Sequence, residues 1–224
     1  LLGEPEENYQ LLLRLQGPNG DVVTPQVFMP IAEDHGLIPR IDRWVISRAI
    51  VTIAKRRRSG NDTRLFVKIT ADSLQDPQLA NWIALNLKQT EVPGKNLVLC
   101  LPESKIFTNL KAAQELQANL SKLGCGLCIE QFGIGLNSLQ MLSHVNADYL
   151  SLDRSLIEDV GKNPENQQKV RDITQHATEH GRKTIAEGVQ DASSMTVLFT
   201  SGMEYAMGNF LAPAVREMNF EFNQ

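Results

Sequence analysis

Short apolar runs rich in β-branched and aromatic residues alternate along the chain with longer stretches whose apolar positions recur every three or four residues. The first pattern predicts strands over 9–15, 65–70, 97–101, 126–130, 149–152, 183–186 and 204–207. The second predicts helices over 25–35, 41–58, 77–90, 106–123, 138–145, 164–180 and 192–200. Helix starts are marked at Thr24-Pro25 and Asn163-Pro164, where a capping side chain precedes a proline at the first helical position. Stops are marked by Gly36, Gly60, Gly124, Gly181 and Gly202.

Strand–helix alternation with no linker-like break predicts a single parallel α/β unit. Seven strands are one short of a closed (β/α)8 barrel. Two arrangements compete: an open doubly wound sheet, or a barrel whose first strand precedes Leu1. No glycine-rich phosphate loop follows the first strand, which lowers the open-sheet reading. No repeat or low-complexity tract interrupts the pattern.

Composition narrows the function classes. With 22 basic and 26 acidic residues the net charge is −4, which argues against a general polyanion binder but not against one small phosphorylated ligand. No apolar stretch reaches the roughly 18 residues that a membrane span needs, so a soluble, cytoplasmic chain is expected. Cys125 and Cys128 form a Cys-x-x-Cys inside a predicted strand, where ordinary core cysteines are expected rather than a redox or metal pair. The run Lys55-Arg-Arg-Arg58 closes a predicted helix, where cations complement the helix dipole; a nucleic-acid patch would want interleaved aromatics.

Five segments, in order and at matching separations, resemble the EAL family of cyclic di-GMP phosphodiesterases. Gln10-Leu-Leu-Leu-Arg-Leu15 resembles the Glu-Ala-Leu-Leu-Arg-Trp signature. Phe28-Met-Pro-Ile-Ala-Glu33 with Gly36-Leu-Ile38 is similar to the family's Phe-Ile-Pro-Leu-Ala-Glu and Gly-Leu-Ile stretch. Glu130-Gln-Phe-Gly-Ile-Gly135 with Ser138-Leu139 looks like Asp-Asp-Phe-Gly-Thr-Gly with Ser-Leu, and Ala147-Asp-Tyr-Leu-Ser-Leu-Asp-Arg-Ser155 like the strand reading Asp-Tyr-Leu-Lys-Ile-Asp-Arg-Ser. Ala186-Glu-Gly-Val189 and Tyr205-Ala-Met-Gly-Asn-Phe210 complete the set.

The resemblance implies a (β/α)8 barrel with its ligand at the C-terminal ends of the strands. Family members usually begin with a strand carrying Gln-Pro-Ile, so the chain is expected to be a single EAL domain, the C-terminal part of a longer protein. Active members use Mg²⁺ or Mn²⁺, hard cations that need several carboxylates. At the matching positions Gln10 replaces the signature Glu, Lys68 a ligating Asn, Cys100 a Glu, Glu130-Gln131 the paired aspartates, and Ser151 the Lys associated with the attacking water. Asp153, Glu187 and the acidic Glu103 remain. The expectation is therefore a degenerate domain with no required cofactor and no catalytic residue. Lys68 is expected to fill part of the metal volume, its ammonium toward Glu130 and Glu187.

Binding calls on other residues. Gln10, Leu12, Leu13 and Arg14 are expected on the first strand, with Gln10, Leu12 and Arg14 on one face by its period of two. The Arg14 fork suits phosphate or a guanine edge. Phe28 and Met29 are expected at one base-binding wall; Gly208, Asn209, Phe210 and Pro213 at the other, where an aromatic and a proline cover a purine face. Asp42, where the family commonly has Gly, offers an acceptor for the guanine Watson–Crick edge; the rival reading is a first-turn Asp complementing a helix dipole. Asp153 and Glu187 complete the expected pocket. Gln-x-Leu-Leu-Arg-Leu with Ile41-Asp-Arg-Trp44 most resembles the branch of the family that regulates type IV pili, implying a cyclic di-GMP receptor at the cell pole. Its partner would be a PilZ-type adaptor and, through it, the pilus ATPase and twitching motility. An interaction scaffold without nucleotide, or weak residual phosphodiesterase activity, are the alternatives. Asn219-Phe-Glu-Phe222 is a candidate edge strand for a further contact.

Overall fold

Segments that are apolar without interruption become strands covered on both faces, the mark of a parallel sheet flanked by helices. The computed structural model describes residues 7–220. The elements are β1 (Glu7–Leu11), β2 (Leu15–Gln16), β3 (Val22–Val23), α1 (Pro25–Asp34), α2 (Ile38–Arg58), β4 (Thr63–Lys68), α3 (Leu79–Thr90), β5 (Leu97–Pro102), α4 (Glu103–Thr108), α5 (Leu110–Lys122) and β6 (Gly126–Phe132). There follow α6 (Ser138–Met141), β7 (Tyr149–Leu152), α7 (Arg154–Ile157), α8 (Pro164–Glu179), β8 (Lys183–Glu187), α9 (Ala192–Thr200) and β9 (Tyr205–Met207). Strands β4 and β5 are buried along five of their six residues.

The main sheet runs β1-β4-β5-β6-β7-β8-β9 with every pairing parallel. Neighbours follow chain order with no reversal, so the sheet lacks the switch point of a doubly wound fold and is barrel-type. Two apolar layers show that it curls. Phe66, Val98, Cys100, Cys128, Tyr149 and Ile185, from five strands, pack together with Tyr205 and Met207 of β9 inside the curve. The larger core lies outside it, between the strands and helices, around Ile46, Ile50, Leu65, Leu99, Ile106, Leu127, Leu150 and Val170. Among the described residues β1 and β9 are the two edges.

Departures from the predicted elements have local causes. The first strand leaves the sheet after Leu11, and β2 and β3 form a small antiparallel hairpin beyond it. Leu12 and Arg14 therefore do not share a strand face with Gln10. The helix expected over 106–123 breaks at Asn109, which lies outside helical dihedrals, and that over 138–145 keeps a single turn. Asn219 and Phe220 are not in a strand; the rest of that candidate edge lies outside the described residues. Gly124 takes φ +69° where α5 gives way to β6, the left-handed stop its position predicts. All three cysteines are free and buried, and burial pushes the Cys125 thiol up to about 12. Among the described residues no helix is long and apolar enough to cross a membrane.

Candidate functional site

At the C-terminal mouth of the sheet, side chains from four strands converge. Gln10 of β1 donates through Nε2 to Glu130 Oε1 of β6 at 3.1 Å. Lys68, the last residue of β4, places Nζ 3.0 Å from the same Glu130 oxygen and 3.5 Å from Glu187 Oε1 at the end of β8. The expected position of Lys68 is realised: its ammonium bridges the two carboxylates. Glu130 is sealed, its side chain 6% exposed, whereas Lys68 is 41% and Glu187 35% exposed. The pair is dry at one end and open to ligand at the other.

Burial works against the charged Lys68, but Glu130 and Glu187 outweigh it and hold its pKa above the ordinary lysine value. Burial also raises the Glu130 pKa above the ordinary carboxylate value; Lys68 opposes that rise and Glu187 adds to it. With all three charged, the cluster carries a net −1.

The residues present do not fit a pair of divalent cations. Lys68 puts a positive charge in the donor set, Gln10 is neutral, Cys100 is buried inside the curl and Ser151 is buried on β7. Glu103 is withdrawn as well: it is buried, and its Oε2 accepts from the backbone N–H of Gly133 at 2.9 Å. Among the described residues no three His, Cys, Asp or Glu side chains form a metal-holding group. Gln131, beside Glu130, takes φ +53° where the β6–β7 register shifts, and its side chain is exposed.

The other expected pocket residues divide. Arg14 is exposed; its Nη1 donates to the Leu13 carbonyl at 2.7 Å, and no carboxylate pairs with it among the described residues. Leu12 is 45% exposed, but Leu13 packs against the outer core. Phe28 and Met29 are half-buried on α1. After β9, Asn209, Phe210 and Pro213 are exposed on a turn in which the N–H groups of Leu211 and Ala212 donate to the Gly208 carbonyl. Gly208 is required by close approach, since a Cβ there would fall 2.3 Å from the Val189 carbonyl oxygen.

Two carboxylates carry structural duties that the sequence reading did not give them. Asp42 is buried on α2, and its Oδ2 accepts from the Thr70 N–H at 2.8 Å, the Thr70 hydroxyl at 2.7 Å and the Ser73 hydroxyl at 2.6 Å. Only Oδ1 is left for a guanine edge. Asp153 caps α7, its Oδ1 accepting from the N–H and the hydroxyl of Ser155 at 2.9 and 2.7 Å. Asp153-Arg-Ser155 is an Asx-cap sequence, so that role had a signal. Asp42 had none, because its partners lie 28 and 31 residues away.

Comparison with known proteins agrees with this fold. The FimX EAL domain of Xanthomonas citri, solved in complex with c-di-GMP, superposes with TM-score 0.93 at 44% identity, covering 96% of this chain and 85% of that one. The FimX EAL domain of Pseudomonas aeruginosa, bound to c-di-GMP, gives TM-score 0.93 at 33% identity over 99% and 89%. The cyclic di-GMP phosphodiesterase PdeR of Escherichia coli is 30% identical over 212 residues, 95% of this chain and 32% of that protein. This chain thus spans between about a quarter and a third of the length of curated relatives it matches. Residues 3–214 match the EAL domain family model, and the chain belongs to the EAL domain family.

Proposed function

We propose that this EAL domain is a receptor that binds cyclic di-GMP without metal and does not hydrolyse it. The observation that carries the reading is the Lys68 ammonium held between Glu130 and Glu187, with the Gln10 amide on Glu130. An ammonium there supplies positive charge toward a phosphate but no Lewis acid and no metal-bound water. Gln10 adds a donor where a carboxylate would repel the ligand unless a metal intervened. The exposed Arg14 fork takes a second phosphate or a guanine edge. Leu12, Phe28, Met29, Phe210 and Pro213 give apolar cover to the bases, and Asn209 and the Gly208 backbone approach the ligand from the last turn. Leu13, Asp42 through Oδ1, Asp153 and Glu187 complete the proposed pocket.

Similarity to the two FimX EAL domains supports the ligand class. The proposal extends to a relay through a PilZ-type adaptor to the pilus ATPase, and so to type IV pilus function and twitching motility at the cell pole, on the resemblance of the Gln10–Leu15 and Ile41–Trp44 segments alone. Isothermal titration of cyclic di-GMP in EDTA, followed by product analysis after overnight incubation with Mn²⁺, tests the core of the proposal. Tight binding with intact ligand is expected. Linear dinucleotide would overturn the inactive reading; no heat at tens of micromolar would leave an interaction scaffold.

A further inference from the structure

Helix α2 has two faces of different character. Ile38, Asp42, Val45, Ile46, Ala49, Ile50, Ile53 and Ala54 are buried against the barrel. Facing solvent are Arg40, Trp44, Arg48, Val51, Lys55 and Arg58, in steps of three or four residues that form one continuous stripe. Trp44 is 57% and Val51 50% exposed, and Leu37, immediately before the helix, is exposed too. Leu37, Trp44 and Val51 recur every seven residues.

Charge on this stripe is of one sign. Arg43 and Arg56, at its flanks, are paired with Asp76 and Glu7, but Arg40, Arg48, Lys55 and Arg58 make no ion pair among the described residues. The helix's single acidic residue, Asp42, is buried. In a chain of net charge −4 this is a local concentration of unanswered cations around exposed apolar side chains.

We propose that the outer face of α2 docks an acidic amphipathic helix of a partner protein. Leu37, Trp44 and Val51 stand about two helical turns apart along one stripe, so a helix laid along α2 meets each of them in turn. Exposed Trp flanked by Arg is the composition that concentrates binding energy at interfaces. The four cations call for carboxylates beside the partner's apolar row. A second copy of α2 would set cations against cations. An anionic membrane would want a broad apolar face, and here the apolar residues stand in single file between charges. The inference is independent of the nucleotide reading, since none of these side chains belongs to the proposed pocket.

The test uses a designed helical peptide of about 21 residues, matching the length of α2, with leucine every seventh position and flanking glutamates. Its binding to this chain is followed by fluorescence anisotropy. The peptide is expected to bind, about tenfold more weakly to Trp44→Ala and to the Arg40→Glu/Arg48→Glu variant, and to lose affinity as salt rises. Circular dichroism melts of Trp44→Ala should match the parent, because the side chain is mostly in water. No binding, equal binding of a peptide with lysines for the glutamates, or affinity unmoved by Trp44→Ala would overturn the proposal. So would sedimentation with anionic vesicles that depends on the same residues.

Discussion

Lys68 Nζ and Gln10 Nε2, carried by the neighbouring strands β4 and β1, converge on one oxygen of β6, Glu130 Oε1, at 3.0 and 3.1 Å. A buried carboxylate oxygen with two donors is fixed in place, and the cation it fixes reaches Glu187 as well. The mouth of the barrel is thereby held together by residues that would be mutually incompatible around a divalent ion.

Removing that cation should therefore be felt twice. Lys68→Met leaves Glu130 buried and negative with only the Gln10 amide, at an expected stability loss of about 1–2 kcal/mol, moderated because Lys68 is partly in water. Cyclic di-GMP affinity should fall about tenfold for loss of a charge-assisted contact. Lys68→Met/Glu130→Gln, which removes both charges, should recover most of the stability but only part of the affinity, since the repelling carboxylate is gone and the ammonium contact is still missing. Chemical denaturation and calorimetric titration read the two effects separately; unchanged affinity in Lys68→Met would place the ammonium outside the pocket.

The raised pKa of Glu130 gives the site a pH dependence of known sign. Its folded-state value lies above the ordinary carboxylate value, so protonation begins at a higher pH than for a free Glu. As pH falls from neutral toward that range, the Lys68–Glu130–Glu187 cluster moves from −1 to 0 while the ligand phosphates stay ionised. Affinity should rise by a few-fold over this window. Stability linked to this group moves the same way: a raised folded pKa favours the folded state at low pH and loses that contribution as pH rises through it. Glu130→Gln should bind more tightly at neutral pH and flatten the profile.

Much of the architecture was legible because the signals were local. Seven apolar runs became the seven strands of the main sheet, and Gly124 stopped α5 where expected. Lys68, Glu130 and Glu187 were legible as a group only through the family pattern, for they come from strands 57 to 119 residues apart. What escaped was tertiary. Nothing in Leu11-Leu-Leu-Arg-Leu15 announces that the chain leaves the sheet, since its leucines fit either state. Asp42 was legible as a guanine-edge acceptor or as a first-turn partner of the helix dipole, but not as the partner of Thr70 and Ser73, which meet it only after β4 turns.

Asp42 therefore belongs to stability as well as to the proposed pocket. Asp42→Ala removes the acceptor for two hydroxyls and one backbone N–H in a nearly dry site, and should cost about 2–4 kcal/mol. Thr70→Val/Ser73→Ala in the Asp42→Ala background should add little, because the three residues act as one unit. Thermal or chemical denaturation of the single and triple variants checks both statements.

Arg14 and Phe210 offer the opposite test, for both are exposed and neither supports the core. Truncating them should leave melting unchanged within error. If Arg14 meets a phosphate, Arg14→Ala should weaken cyclic di-GMP by about 1.5–3 kcal/mol, the range for a hydrogen bond to a charged group. Arg14→Lys should recover only part, because an ammonium lacks the planar two-pronged donor. Phe210→Ala should lose about 1–3 kcal/mol if the ring covers a base, and Phe210→Leu less than that because some apolar contact survives. Arg14 and Phe210 stand on separate turns, after β1 and after β9, so the two losses should add if each meets its own part of the ligand. Full affinity retained in both single variants would move the nucleotide away from this mouth altogether, while loss in only one would show which half of the pocket the ligand uses.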